Sequence, residues 1–305
     1  MSTEYIHFTA AQKEAARQTD LVALIQSQGE RLKRSGKEYV WRDGSEKVTV
    51  RGNLWFHQYE RIGGDAVDFV RRFYNMDFPQ AVNFLLGNNG GALPQAEPVK
   101  REPPKPFTLP PKNDNMRRVY AYLLNRRGID REVLSAFVHK GMIYESADYH
   151  NAVFVGYDEH GIARHAHKRG TGSESTYKGN AESCDPRYSF HWTGTDNALY
   201  LFEAPIDMLS FISLHKENWR SHSYAAACCV GDQVLFQMLK ANPNIDTVCL
   251  CMDNDTAGQA ANKRISDKLF IHGIKHEILV PEFKDWNEDL LYDEQEETEC
   301  QTLQL

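Results

Sequence analysis

Asp253 and Asp255 stand one residue apart at the end of the run Val248-Cys-Leu-Cys-Met252, and Thr-Ala-Gly258 follows them. An unbroken apolar run that stops at charge has the pattern of a buried parallel strand ending at a site. Two carboxylates at this spacing suit a hard divalent cation, because Mg²⁺ takes oxygen ligands and usually one or two protein carboxylates. A plainer role is open to Asp255, which precedes a helical pattern over residues 257–271 and is a good N-cap. A second stretch has the same form. The apolar run Ala198-Leu-Tyr-Leu-Phe202 ends at Glu203, and Pro205 then opens a helix with Met208, Leu209, Ile212 and Leu214 on one face.

These carboxylates need elements that hold them together. Residues 223–230 form a third apolar run, followed by a Gly-Asp turn and an amphipathic helix over 233–240; residues 276–280 read as a fourth strand. Strand and helix alternating in this way predict an α/β fold, a parallel sheet flanked by helices with right-handed crossovers. Glu203 and the Asp pair then share its carboxyl edge, where ligands bind in open α/β sheets. Asp285, in the acidic segment 284–289 after the fourth strand, either reaches that edge or sits in an ordinary solvated loop capping a last helix.

Upstream, residues 151–164 have the pattern of a hairpin with an acidic-Gly turn, and Arg164, His165, His167, Lys168 and Arg169 follow, then Thr176-Tyr-Lys-Gly179. A Glu at one strand end, Asp-x-Asp at another about fifty residues on, and an acidic loop after the next strand together resemble the Toprim domain of bacterial-type DNA primases, topoisomerases and some nucleases. The basic hairpin and the Tyr-Lys segment are similar to those of primases. The whole chain most resembles short primase-like Toprim proteins of plasmids and conjugative transposons, over roughly residues 15 to 292.

That resemblance implies metal-dependent nucleotidyl transfer. Glu203, Asp253 and Asp255 would be catalytic and would hold Mg²⁺ or Mn²⁺, with Asp285 on a second ion; Asn287 stands where primases usually have another Asp. Arg164, Lys168, Arg169 and Lys178 would bind triphosphate or template backbone, as guanidinium forks and ammonium charges match phosphate oxygens. Asp207 is either a supporting carboxylate or a helix N-terminal charge. His165 and His167 are expected as surface-strand residues. The implied partners are single-stranded DNA, nucleoside triphosphates and a separate replicative helicase, since the chain lacks a Gly-x-x-x-x-Gly-Lys-Ser/Thr motif. Two other readings stay open: a Toprim metallonuclease acting on DNA or RNA, and a non-catalytic DNA-binding replication accessory protein. A topoisomerase is disfavoured, because nothing resembles its tyrosine-bearing module.

The N-terminal part, residues 1–88, is similar to the zinc-ribbon domain of primases in its short strands and its Gly-Gly-Asp-Ala helix start at residues 63–66. Trp41, Gly44 and the segment 57–61 stand where ligands would, and only His57 could ligate; one His cannot make a four-coordinate zinc site. The expectation is a small α+β domain without zinc, held by Tyr39, Trp41, Trp55, Phe56 and Phe69, with Arg34, Lys37, Arg42, Lys47 and Arg51 either contacting a DNA template or simply solvated. Residues 89–112 read as a Pro-rich linker, 113–195 as a mixed α+β basic subdomain, 196–292 as the Toprim domain and 293–305 as an acidic flexible tail.

With 41% hydrophobic and 25% charged residues the composition is that of an ordinary globular protein. The net charge of −7 weighs against nucleic acid, but the tail and the site carboxylates carry much of it, while Lys and Arg concentrate at residues 100–131 and 164–178. The six cysteines lack a Cys-x-x-Cys spacing, and Cys228, Cys229, Cys249 and Cys251 fall in apolar strand patterns, where a thiol behaves as a small hydrophobe. Neither a membrane span nor a signal-peptide pattern is present, so a cytoplasmic location is expected.

Overall fold

A computed structural model describes residues 8–43, 46–60, 62–87, 94–96, 105–228 and 231–293. Gly44, Arg61, Cys229, most of the Pro-rich segment 89–112 and the acidic stretch 294–305 lie outside the described residues. The chain divides into two compact units, Met1–Pro103 and Pro104–Leu305.

In the first unit, α1 (Ala10–Arg17) and α2 (Leu21–Ser27) precede an antiparallel sheet of β1 (Leu32–Ser35), β2 (Glu38–Asp43), β3 (Glu46–Arg51), β4 (Leu54–His57) and β5 (Gly63–Gly64), in that spatial order. Helices α3 (Ala66–Phe73) and α4 (Phe78–Leu85) close it. Each helix start is written locally. Thr9, Asp65 and Asp77 form capping boxes with Gln12, Asp68 and Gln80, and Asp20 accepts from the Ala23 amide. Helix α1 and strands β1 and β5 contain almost no large apolar residues and were not expected from the sequence.

The core of this unit joins aliphatic residues of α2, β3, α3 and α4 to an aromatic cluster. Trp41 and Trp55 meet Phe69 and Phe73 at ring-centroid distances between 5.1 and 6.3 Å. Two expected core members are corrected. Phe56 faces outward, because strand alternation that turns Trp55 inward must turn its neighbour out, and Tyr39, on the Trp41 face near the start of β2, is only half-buried. Phe73, one helical turn from Phe69, fills that role. His57 is buried, and its Nδ1 accepts from the Glu60 amide (3.0 Å), so that nitrogen serves a turn.

The second unit starts with α5 (Arg117–Tyr120), which widens into a π-helical turn, Ala121–Arg126, before α6 (Arg131–His139). An antiparallel sheet follows, ordered β6 (Ile143–Glu145), β7 (Ala152–Tyr157), β8 (Ala163–Arg169) and β9 (Lys178–Asn180). Then come β10 (His191–Trp192), β11 (Ala198–Phe202), α7 (Pro205–Leu214), β12 (Ser223–Ala226), α8 (Gln233–Ala241), β13 (Thr247–Cys251), α9 (Thr256–Ile271), β14 (Lys275–Ile278) and a last helix, α10, over residues 286–293. The second sheet is ordered β10-β12-β11-β13-β14. It is parallel from β12 to β14, as the strand–helix alternation predicts, with β10 added antiparallel at one edge.

Both faces of this sheet are covered, which is why its central strands are apolar throughout. Leu199, Leu201, Val248 and Leu250 pack toward α8 and α9, while Phe202, Cys249 and Cys251 pack toward α7. The thiols are core residues: burial pushes Cys249 up to about 12 and Cys251 well above its ordinary value.

Truncating Phe69 in the four-ring cluster tests the source of stability in the first unit. Phe69→Ala should cost about 3–5 kcal/mol, whereas a chelator such as EDTA should leave the first unit's melting curve unchanged; both are read by thermal denaturation.

Candidate active site

Strands β11 and β13 pair in parallel with Phe202 opposite Cys251. The residues that follow emerge at one edge, Glu203 one residue beyond β11 and Asp253 two beyond β13. Helix α9 comes hard against the Asp253 turn, and a Cβ at position 258 would collide with the Asp253 carbonyl, so Gly258 permits the approach. Asp285 arrives from the segment after β14. Its Oδ1 accepts from the amides of Asn287 (3.1 Å) and Glu288 (2.9 Å) at the start of α10, while Trp286 Nε1 donates to the Cys251 carbonyl (3.0 Å) and pins that helix to the end of β13.

These elements wall a cleft of about 140 Å³. Glu203, Asp207, Asp253 and Asp285 line it, faced by Arg127, Arg169, Lys178 and Lys284. The carboxylates repel one another. Burial, with Glu203, Asp285 and Asp255 adding to it, pushes Asp253 up to about 7. Asp207, buried in the first turn of α7, is raised well above the usual carboxylate range by burial and by Asp253, Asp285 and Glu203. Glu203 is raised chiefly by burial, with Lys178 opposing. Asp253 Oδ1 is buried and has no hydrogen-bond partner. As the side chains stand, no three His, Cys, Asp or Glu residues among the described residues are grouped closely enough to hold an ion. The donor set is nonetheless all oxygen and includes one unpartnered buried atom, which fits a hard divalent cation.

Not every expected residue faces this cleft. Asp255 is the N-cap of α9, its Oδ1 accepting from the amides of Ala257 and Gly258 (both 2.9 Å), and it acts on Glu203 and Asp253 as a nearby charge. On β8, alternation divides the basic run: Arg169 lines the cleft, while Lys168 lies over the Tyr177 ring and Arg164 pairs with Asp158 (2.7 Å). Lys178, opposite Arg169 on β9, lines the cleft.

His165 and His167 correct an expectation, since both are buried. The face that carries these histidines is covered: Phe154, opposite His167 on β7, belongs to the core, and the backbone of Tyr188 and Ser189 lies over Gly156, opposite His165. His167 reaches the cleft wall. Its Nδ1–H donates to Asn180 Oδ1 (2.7 Å), whose amide is oriented by donating to the Cys228 carbonyl (2.9 Å). Burial lowers His167 to about 4, with nearby Arg169 and Lys178 acting the same way, so the ring is neutral at pH 7.

Sequence reasoning missed Arg127. The π-turn lets its amide bond back to the Tyr122 carbonyl (3.1 Å), and its guanidinium donates to Tyr122 Oη (3.0 Å) and to Asn287 Oδ1 (2.9 Å). Asn287 donates in return to the Arg127 carbonyl (2.7 Å) and to Ser210 Oγ (3.0 Å). The residue that departs from the acidic pattern thus binds α10 to the helical segment before α6. A π-helical insertion often marks a functional position, but the sequence showed only a break at Arg-Arg-Gly.

The carboxylate cluster makes a stability prediction. A group whose folded pKa is raised binds more protons when folded, so its contribution is fully present below the unfolded value near 3.8 and is lost as pH rises through about 7 for Asp253. The metal-free protein should therefore melt lower at pH 8 than at pH 5.5. Asp253→Asn should raise the pH 8 midpoint by roughly 2–4 °C, equivalent to about 1 kcal/mol, and reduce that pH dependence. A midpoint lowered by the substitution at pH 8 would contradict the repulsion.

Two family models match within the second unit. Residues 121–196 match a family described as a protein of unknown function (DUF3991), and residues 200–290 match the family described as Toprim-like. An uncharacterized protein of Bacillus anthracis is 25% identical over 274 residues, covering 85% of this chain and 79% of its own length. Among solved structures, the Aquifex aeolicus primase with its zinc-binding and RNA polymerase domains aligns at 16% identity and a TM-score of 0.41, over 96% of this chain and 85% of its own. The primase fragment of the bacteriophage T7 primase-helicase aligns at 19% identity and 0.45, over 67% and 83%. No helix among the described residues is long and apolar enough to cross a membrane. The segment that carries Glu203, Asp253 and Asp285 to one cleft is the one that matches the Toprim-like family.

Proposed function

We propose that the chain is a primase-type nucleotidyltransferase that makes short primers on single-stranded DNA, in the replication of a mobile element and alongside a separate helicase. The observation that carries this reading is one cleft lined both by the carboxylates Glu203, Asp253 and Asp285 and by the cations Arg127, Arg169, Lys178 and Lys284. The carboxylates suit divalent cations and the cationic side chains suit a polyphosphate.

Glu203 and Asp253 would hold Mg²⁺ or Mn²⁺, with Asp255 and Asp285 adding charge or ligands at either side. A cation bound there would supply Lewis-acid stabilisation of phosphate charge and lower the pKa of an attacking 3′-hydroxyl. The chain's own cations do the positioning. Arg127 is fixed by Tyr122 and Asn287 before any ligand arrives, so little side-chain freedom is lost when it takes a phosphate oxygen. Lys178 and Arg169, cross-strand neighbours, place two further charges on the same face. His167, neutral at pH 7, adds no charge to the cleft and leaves Nε2 as an acceptor. Lys168 and Arg164, turned away from the cleft, fit contacts to template backbone outside it.

The test is incubation of the protein with Mg²⁺ or Mn²⁺, single-stranded DNA and labelled nucleoside triphosphates. Extension products are expected, and Asp253→Ala should reduce them at least about 100-fold, a loss of about 2.7 kcal/mol. Lys178→Ala should act mainly on substrate binding, raising KM roughly tenfold, about 1.4 kcal/mol. Shortening of the DNA in place of extension identifies a nuclease. A retained gel shift with neither reaction under either metal identifies a non-catalytic DNA-binding protein.

A further inference from the structure

Strand β14, Lys-His-Glu-Ile, is the edge of the parallel sheet among the described residues, and exposed apolar side chains stand beside it. Ile278 is 46% exposed and Val280 54%, and the preceding helix ends in Phe270 and Ile271, exposed to 80% and 78%. Apolar side chains beside an open strand edge leave both backbone hydrogen-bonding groups and hydrophobic surface without partners, which proteins normally avoid. We infer that β14 is the interface of a homodimer, in which two copies of this strand pair antiparallel about a twofold axis at His276.

The direction of the backbone supports the pairing. Leu279 donates its amide inward to the Leu250 carbonyl (2.9 Å), so by strand alternation the amides and carbonyls of His276 and Ile278 point to the open side. Charge selects the register. An axis at Lys275 or at Glu277 sets like charges opposite each other. An axis at His276 sets Lys275 of each copy opposite Glu277 of the other, forming two complementary cross-strand pairs.

The apolar residues obey the same symmetry. His276 lies on the α9 face, where its Nδ1–H donates to the Ile274 carbonyl (3.1 Å) and Ser266 Oγ–H donates to its Nε2 (2.5 Å). Ile278 and Val280, at even spacing from it, lie on that face too. With the axis at His276, Ile278 falls opposite Ile274 of the second copy and Val280 opposite its His272. Phe270 is one helical turn beyond Ser266 and so stands on the side of α9 toward β14. Antiparallel pairing brings the Phe270 end of one copy to the Ile278–Val280 end of the other, twice, as a self-complementary twofold contact requires. The two α9 helices then ride on one face of a continuous sheet. With strands about 4.8 Å apart they are spaced roughly 10 Å, which is helix-packing distance.

The register makes the test specific. Across a hydrogen-bonded antiparallel pair the Cα atoms lie about 5.5 Å apart, within disulfide range. The full chain bearing His276→Cys should form a disulfide-linked dimer on mild oxidation, on non-reducing electrophoresis, while the unsubstituted chain and Lys275→Cys stay largely monomeric in the same lanes. By light scattering the unsubstituted protein at 100 µM should have twice the monomer mass. Ile278→Lys, with its circular dichroism unchanged, should weaken association at least tenfold. A monomer at 100 µM overturns the inference, as does a dimer that Ile278→Lys leaves intact and His276→Cys does not cross-link.

Discussion

The parallel pairing of β11 with β13 is the constraint on which the rest of the second unit depends. With Phe202 beside Cys251, the chain must place Glu203 and Asp253 at one edge, and the helices that cover both faces exclude the water that would screen them. Asp207 and Asp285 join them, so four carboxylates share a cleft, and for Glu203, Asp207 and Asp253 desolvation and repulsion both favour protonation. Such a cluster is unfavourable to the fold in isolation. Strain of this kind at a strand edge is characteristic of sites built to receive a cation.

The surrounding structure opposes that repulsion from several directions. The antiparallel sheet delivers Arg169 and Lys178 as cross-strand neighbours, and the segment before α10 delivers Lys284. Arg127 comes from a π-turn and is clasped by Asn287, which also holds Ser210 on α7. Asn287 thereby links three elements around the cleft. An aspartate there could accept from Arg127 through its carboxylate, but it could not donate to the Arg127 carbonyl or to Ser210 through a side-chain amide.

The first unit solves a different problem, the stability of a small sheet whose core joins aliphatic residues to a cluster of four rings. Its rings meet mostly at tilted or edge-to-face angles, the arrangement that aromatic quadrupoles prefer, and capping boxes on three of its helices satisfy amides that would otherwise be orphaned. The same period-two alternation that seats Trp41 and Trp55 leaves Phe56 outside. Composition names the candidates for such a core; pleat direction chooses among them.

Much of the second unit was legible in its sequence because its signals are local. Apolar runs ending at Glu203 and Asp253, Pro205 at a helix start and Gly258 beside a turn each state their own structure, and their order implies a parallel sheet. The burial of His165 and His167, the separation of Arg169 from Lys168 and Arg164, and the entry of Arg127 into the cleft were not legible in that way. Each depends on which face of a strand another element covers, or on a hydrogen-bond shift inside a helix. The sequence by itself determined which carboxylates would stand at strand ends. Only the tertiary structure decided which cations face them, because a side chain's electrostatic environment is set by neighbours distant in the chain.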